Sequence, residues 1–287
     1  GVGVARRLRD SQVGKVNGQD SYVQVRFAEP VTLRSFRLPP ISHMMGGGQI
    51  PRTDVRLIVE TVEGGRRSPV AEIPLPDTCW MDRQYDVTLA LPETTTRELR
   101  VTFAGEHTPS VPHLYFQSQP RLHNYEAKAG YALRTLEQKI VPRYDSDGFL
   151  KQDAIMDVTG RVDTSGRLAW TPPPGKWTIV RFGHVNMRKT NGPAAKEATG
   201  WECSKLDKIA LEHHLRNGMV GSLAGPGGPC GDGKLYGLLM DSWERYIPTW
   251  TIQSETMFQE FRGRRGYELR PFLPAMMGYV VDSPVRT

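Results

Sequence analysis

The chain has 287 residues, 38% of them hydrophobic and 24% charged. That composition excludes a disordered protein and leaves room for about two cores. Lys and Arg number 37 against 31 Asp and Glu, a net charge of +6, but the basic residues are scattered, and a nucleic-acid interface needs them clustered.

The first 120 residues alternate in the two-residue period of half-buried strands. In Tyr22-Val-Gln-Val-Arg-Phe27 the residues Val23, Val25 and Phe27 share one face and Tyr22, Gln24 and Arg26 the other. Thr32-Leu-Arg-Ser-Phe-Arg-Leu38, Asp54-Val-Arg-Leu-Ile-Val59, Tyr85-Asp-Val-Thr-Leu-Ala-Leu91 and Glu98-Leu-Arg-Val-Thr-Phe103 behave alike. Turn signals separate them at Glu29-Pro30, Pro39-Pro40, Gly64-Gly65 and Pro76-Asp77. Short strands punctuated by Gly and Pro predict an antiparallel β-sandwich over residues 1–124.

A helix is predicted over 125–139, with Ala127, Tyr131, Leu133 and Leu136 as its apolar positions. Short strands with tight turns follow at Ile155-Met-Asp-Val-Thr159, Gly166-Arg-Leu-Ala-Trp170 and Pro172-Pro-Pro-Gly-Lys-Trp177, and a longer strand is expected over 177–185. The pattern then changes. Residues 206–219 carry apolar side chains at helical spacing, 234–240 form an apolar run of the kind buried on both faces of a parallel sheet, and 255–265 form a helix capped by Ser254 and stopped at Gly266. Alternating helices and a buried strand predict the first units of a (β/α) barrel. A closed barrel needs about 250 residues, so this one is incomplete. The expected division is therefore 1–124 and 125–287.

No apolar run reaches the roughly 20 residues of a membrane span. No signal-peptide core occupies the first thirty residues, so the chain reads as a processed protein or a fragment. The three cysteines, Cys79, Cys203 and Cys230, make neither a CxxC pair nor a disulfide framework. Gly228-Pro-Cys-Gly-Asp-Gly-Lys234 has the spacing of a phosphate loop, but Leu235 stands where Ser or Thr must hold magnesium, and the loop precedes its strand instead of following it. It reads as a turn. His213 and His214 lack metalloprotease spacing and point about 100° apart on a helix, so they read as helix histidines.

Asp241-Ser-Trp-Glu244 carries the most chemistry. It ends the apolar run, and sites in parallel α/β layers form at the carboxyl ends of strands. Two carboxylates beside Trp243, Tyr246 and Trp250 describe a sugar subsite: aromatic faces pack on sugar C–H surfaces, and apolar walls raise the pKa of an acid that must donate a proton. Solvated acids in a loop are the plainer alternative. Glu202, in Gly200-Trp-Glu-Cys-Ser-Lys205, lies ahead of the helix at 206–219; it either contacts substrate or a cation, or sits near that helix N-terminus and favours its dipole.

These motifs together resemble the α-L-rhamnosidases of glycoside hydrolase family 106. The likeness runs through Ile155-Met-Asp-Val-Thr-Gly-Arg161, Gly166-Arg-Leu-Ala-Trp170, the segment 173–183, Gly200-Trp-Glu-Cys-Ser-Lys205, Asp241-Ser-Trp-Glu244, Trp250-Thr251, Phe261-Arg-Gly-Arg-Arg-Gly-Tyr267 and Leu273-Pro-Ala275. It covers about 125–281; the amino-terminal part resembles the accessory β-domains of such enzymes. The resemblance implies a (β/α) barrel flanked by β-domains, calcium at the sugar, and inverting hydrolysis of terminal α-L-rhamnosides in polysaccharide such as rhamnogalacturonan. It implies a secreted or periplasmic bacterial enzyme whose partner is its oligosaccharide or polysaccharide substrate, with no nucleic acid and no membrane span. Inversion takes one carboxylic acid and one carboxylate about 6.5–9.5 Å apart. The resemblance makes Glu244 the acid, Asp241 its support, Glu202 a sugar or calcium contact, and Trp243 and Trp250 substrate-binding. The metal ligands are left unassigned. Ser204 departs from the acidic residue of the family's Glu-x-Asp-Lys pattern. None of Glu255, Glu260, Glu268 and Asp282 matches the second catalytic carboxylate, which is expected beyond residue 287, so the chain alone is expected to be inactive. A non-catalytic carbohydrate-binding β-sandwich is the alternative, with Tyr22, Trp80 and Tyr115 as its candidate aromatics.

Overall fold

The structure, a computed structural model, describes residues 11–16, 20–44, 55–77, 85–105, 114–134, 148–183, 188, 190–204, 207–231, 233–234, 236–237 and 254–283. The chain divides into two compact units, one of Gly1–Trp177 with Arg270–Thr287 and one of Thr178–Leu269. The described residues of 125–177 fall in the first of these units.

The first unit is built on one antiparallel sheet, β1 (Ser11–Val16), β2 (Asp20–Leu38), β3 (Arg56–Glu63), β4 (Arg66–Pro74), β5 (Val87–Ala104) and β6 (Tyr115–Gln117). The strand order is β1-β2-β5-β3-β4, with β6 also on β2. The antiparallel pairing is as expected. The described strands, however, all belong to one sheet instead of dividing into the two separate sheets of a sandwich. Alternation places the core: Val23, Val25 and Phe27 of β2, Leu57 and Val59 of β3, and Leu99, Val101 and Phe103 of β5 are buried in one cluster with Leu38, Leu89 and Phe116. Each such side chain contributes about 1.5–3 kcal/mol of burial. Ile41 and Met44, on the single turn α1 (Ile41–Met44) after Pro39-Pro40, complete that cluster.

Pro30, read as part of a turn, lies inside β2, and Pro92 lies inside β5. Between the pairs Arg26↔Glu98 and Val31↔Thr96, β2 carries the four residues 27–30 against the single Arg97; between Leu33↔Thr94 and Ser35↔Ala90, β5 carries 91–93 against the single Arg34. Pro30 and Pro92 occupy these bulges, where a missing N–H costs no ladder bond. Each bulge is spanned by an ion pair from the short side to the long side: Arg97 to Glu29 at 3.0 Å, and the Arg34 Nε to Glu93 at 2.8 Å. At Gly64-Gly65 the expected turn forms, with φ of 56° and 84° joining the facing pair Glu63↔Arg66. Two positive φ angles in a two-residue hairpin loop are the geometry that glycine permits.

Past the sheet the predicted helix over 125–139 is one turn, α2 (Tyr125–Lys128). Gly130 at φ 78° lets the Tyr131 N–H reach back to the Glu126 carbonyl at 2.7 Å, which ends the turn; residues 135–139 lie outside the described ones. In place of the strands expected over 155–177 there are a 3₁₀ turn, Thr159–Arg161, and an isolated bridge, Val162↔Leu168, after a first 3₁₀ turn at Gln152–Ala154. In that bridge the Asp163 carboxylate accepts from the N–H groups of Ser165 and Arg167, each at 2.9 Å, a local alternative to strand pairing. Trp170 meets Trp177 edge-to-face with ring centroids 5.4 Å apart. The chain returns through a 3₁₀ segment, Arg270–Met277, and Tyr279 bridges Arg121 while Val281 bridges Leu150.

In the second unit, Asp207 caps a helical run composed of α3 (Lys208–His213), a π-turn (His214–Met219) and α4 (Val220–Ala224). α5 (Ser254–Arg265) ends at Gly266, φ 76°, as expected. Its Met257, Phe258 and Phe261 are half-buried rather than buried. No strand appears over the described residues of 177–185, since nothing among them pairs with it. Within 234–240 the described residues are 234, 236 and 237, and Tyr236 is fully exposed rather than part of a buried strand. The first units of a barrel are therefore not displayed among the described residues. Among the described residues no helix is long and apolar enough to cross a membrane.

Candidate functional site

Glu244, Asp241, Trp243 and Trp250 lie outside the described residues, so the structure brings none of them together with Glu202. Glu202 itself is exposed. It follows a closed loop whose ends meet at the antiparallel bridge Thr190↔Trp201. Asn191 holds that loop with both its backbone and its side chain. The Asn191 N–H donates to the Gly200 carbonyl at 3.0 Å, the Gly200 N–H donates to Asn191 Oδ1 at 2.7 Å, and Asn191 Nδ2 donates to the Ala198 carbonyl at 3.0 Å. Inside the loop the Thr199 hydroxyl donates to the Ala195 carbonyl at 2.9 Å, closing the turn Lys196–Ala198. Thr190 and Asn191 thereby fix the backbone immediately before Glu202. Trp201, 67% exposed, is presented on the same segment; its place in the motif is the one signal that could have singled it out.

The amino end of α3 is satisfied by Asp207, whose carboxylate accepts from the N–H groups of Ile209 at 2.9 Å and Ala210 at 3.2 Å. Glu202 stands outside that first turn, which begins at Lys208. His213 and His214 are exposed on the helical run, and Glu212 pairs with Arg216 at 2.9 Å. The described residues of 228–234 form turns, as expected of that segment.

Calcium takes six to eight oxygen ligands. Among the described residues no group of three or more His, Cys, Asp or Glu side chains is placed to hold a metal ion. Asp241 and Glu244 are not among the described residues.

Sequence reasoning missed a buried polar group in the first unit. Glu126, on α2, is 3% exposed and accepts from the Thr88 hydroxyl at 2.6 Å and the Thr88 N–H at 3.3 Å. Burial pushes its carboxyl upward against these bonds and the nearby Arg134. Arg134 donates to the Asp86 carbonyl at 3.0 Å and to Asn124 Oδ1 at 3.3 Å. A raised carboxyl in a sealed site, with an arginine and a threonine already on it, has no access to substrate. Its geometry ties 124–134 to the start of β5. No local pattern announces it, because Thr88 and Glu126 are 38 residues apart.

A family model described as alpha-L-rhamnosidase, glycoside hydrolase family 106, matches residues 7–287. A protein of Formosa agariphila named as a beta-glucuronidase is 32% identical over 147 residues, 51% of this chain and 12% of that protein. The fold resembles the solved rhamnosidase of Novosphingobium sp. PP1Y, with a TM-score of 0.62 at 22% identity, over 93% of this chain and 24% of that one. The chain therefore spans a small part of the length of these relatives. The family match extends over nearly the whole chain, and the chain belongs to glycoside hydrolase family 106, the α-L-rhamnosidase family.

Proposed function

We propose that this chain supplies an accessory β-domain (1–124) and the start of the catalytic region (125–287, with the first units of a (β/α) barrel) of an inverting α-L-rhamnosidase. Its substrate in this reading is terminal rhamnose on plant cell-wall polysaccharide such as rhamnogalacturonan, met outside the cytoplasm of a bacterium. The observation that carries the reading is the family match across residues 7–287. Glu244 protonates the leaving glycosidic oxygen, and a carboxylate beyond residue 287 activates water on the opposite face of the ring. Asp241 supports the acid, Trp243 and Trp250 cover sugar C–H surfaces, and Glu202 accepts hydrogen bonds from sugar hydroxyls. Calcium enters this reading through the resemblance alone, with its ligands unassigned.

The binding-protein alternative is disfavoured by its own aromatics. The Arg100 guanidinium lies 3.5 Å over the Tyr22 ring and that of Arg37 lies 4.9 Å over Tyr115. Each ring thus has a face already occupied by a cation; Trp80 lies outside the described residues.

The glucuronidase-named relative sets the competing substrate. A longer protein carrying this chain is given aryl α-L-rhamnoside and aryl β-D-glucuronide, and the first-formed sugar is followed by proton NMR. The reading expects rhamnose, first as the β anomer. Rhamnose appearing first as the α anomer contradicts inversion, and release of glucuronate alone contradicts the substrate.

A further inference from the structure

We infer that Asn191 is a positioning residue for Glu202: its side chain closes the loop 191–200 and so sets where the Glu202 carboxylate meets the sugar. The inference rests on the proposed role of Glu202. Thr190 and Trp201 are bridge partners, so the chain leaves and re-enters the loop at one point. An isolated bridge supplies little order by itself. The order comes from Asn191, which offers an acceptor to the Gly200 N–H at 2.7 Å and a donor to the Ala198 carbonyl at 3.0 Å. One amide side chain thus satisfies two backbone groups on the far limb, the nearer of them two residues before Glu202. Gly200 has nothing within 4 Å of the position a Cβ would occupy. Its N–H and its carbonyl are both bonded to Asn191.

Asn191 is exposed, so its substitution changes global stability little. Its effect is on position, and a small misplacement of a substrate-contacting group is costly to catalysis. Asp at this position keeps the acceptor for Gly200 and loses the donor to Ala198; Ala loses both.

The test compares Asn191→Ala, Asn191→Asp and Glu202→Gln in a longer protein carrying this chain, reading kcat and KM on an aryl α-L-rhamnoside together with Tm. Asn191→Ala should raise KM about tenfold with Tm unchanged, and Asn191→Asp should recover most of the loss. If Asn191→Ala keeps wild-type KM and kcat while Glu202→Gln loses activity, the positioning role is overturned and that of Glu202 stands. If Glu202→Gln is fully active, the role of Glu202 and the inference fall together. If the wild-type protein releases no rhamnose, the proposed function itself fails, and the inference with it.

Discussion

Arg134 and Glu126 face each other in the first unit with Arg134 Nη1 3.8 Å from Glu126 Oε2 and side chains 0% and 3% exposed. Their long separation is filled by other bonds: Thr88 donates to Glu126, while the carbonyl of Asp86 and the side chain of Asn124 accept from Arg134. Removing one member of such a pair strands the other charge. Arg134→Met is expected to destabilise the chain by about 3–5 kcal/mol, and the double change Arg134→Met with Glu126→Leu to recover most of that. Urea unfolding of the single and double variants decides it; equal losses in both would show that the charges are not coupled.

His123 gives the neighbouring segment a pH dependence. Burial, with the charge of Lys128, lowers its pKa to about 4, and its Nδ1 accepts from the Ala90 N–H at 3.4 Å. The folded state prefers neutral imidazole, so this stability is complete above the unfolded value of 6.5 and is lost as pH falls toward 4. The full shift corresponds to about 3 kcal/mol. Glu126, raised by burial, works in the opposite direction, gaining stability as pH falls. Subtracting the pH profile of His123→Asn, whose Oδ1 can replace Nδ1 as acceptor, isolates the histidine. Parallel profiles between pH 7 and 4 would contradict the assignment.

Two glycines with nearly the same backbone angle separate strain from crowding. Gly266 has φ 76° and open space where a Cβ would stand, whereas at Gly278, φ 80°, a Cβ would lie 2.5 Å from Tyr125 Cδ1. Gly266→Ala should cost about 1 kcal/mol, from the left-handed backbone alone. Gly278→Ala should cost about 3 kcal/mol, because the Tyr125 ring must move as well, and the contact of the Leu122 N–H with the Gly278 carbonyl, 2.8 Å, should loosen with it. Thermal unfolding of the two variants gives the comparison; equal losses would refute the crowding argument.

Asp207→Ala removes the cap of α3. About 1 kcal/mol of local stability is expected to go, seen as faster amide exchange at Ile209 and Ala210, the two N–H groups its carboxylate holds. Unchanged exchange there would mean that water satisfies those donors as well as the aspartate does.

Much of the sheet was legible in the sequence because alternation is a local signal: Val23, Val25 and Phe27 are buried as read. Pro30 and Pro92 were not legible as bulges, since a proline that ends a strand and one that sits in a bulge look alike until the partner strand is known. Gly130 stopped a helix that its apolar spacing would have extended. The segment 177–185 has the period of a strand, but a strand exists only with a neighbour to pair with. At the candidate site, Glu202 was readable as a loop acid ahead of a helix, but the cap of that helix was legible only once Asp207 was seen to accept from Ile209 and Ala210. Glu126 and Arg134 were invisible as a pair, because charged residues in a short helical stretch read as solvated until Thr88 and Asp86 are brought to them by the fold.

The proposed chemistry turns on Glu244 as the acid of a rhamnosidase. The decisive experiment measures free rhamnose released from rhamnogalacturonan oligosaccharides by a longer protein carrying this chain, with Glu244→Gln beside it. Release is expected from the wild type, with a loss of at least about a hundredfold in Glu244→Gln and its folding intact, the upper contribution of one general acid being about 10⁴. Full activity in Glu244→Gln would overturn that role.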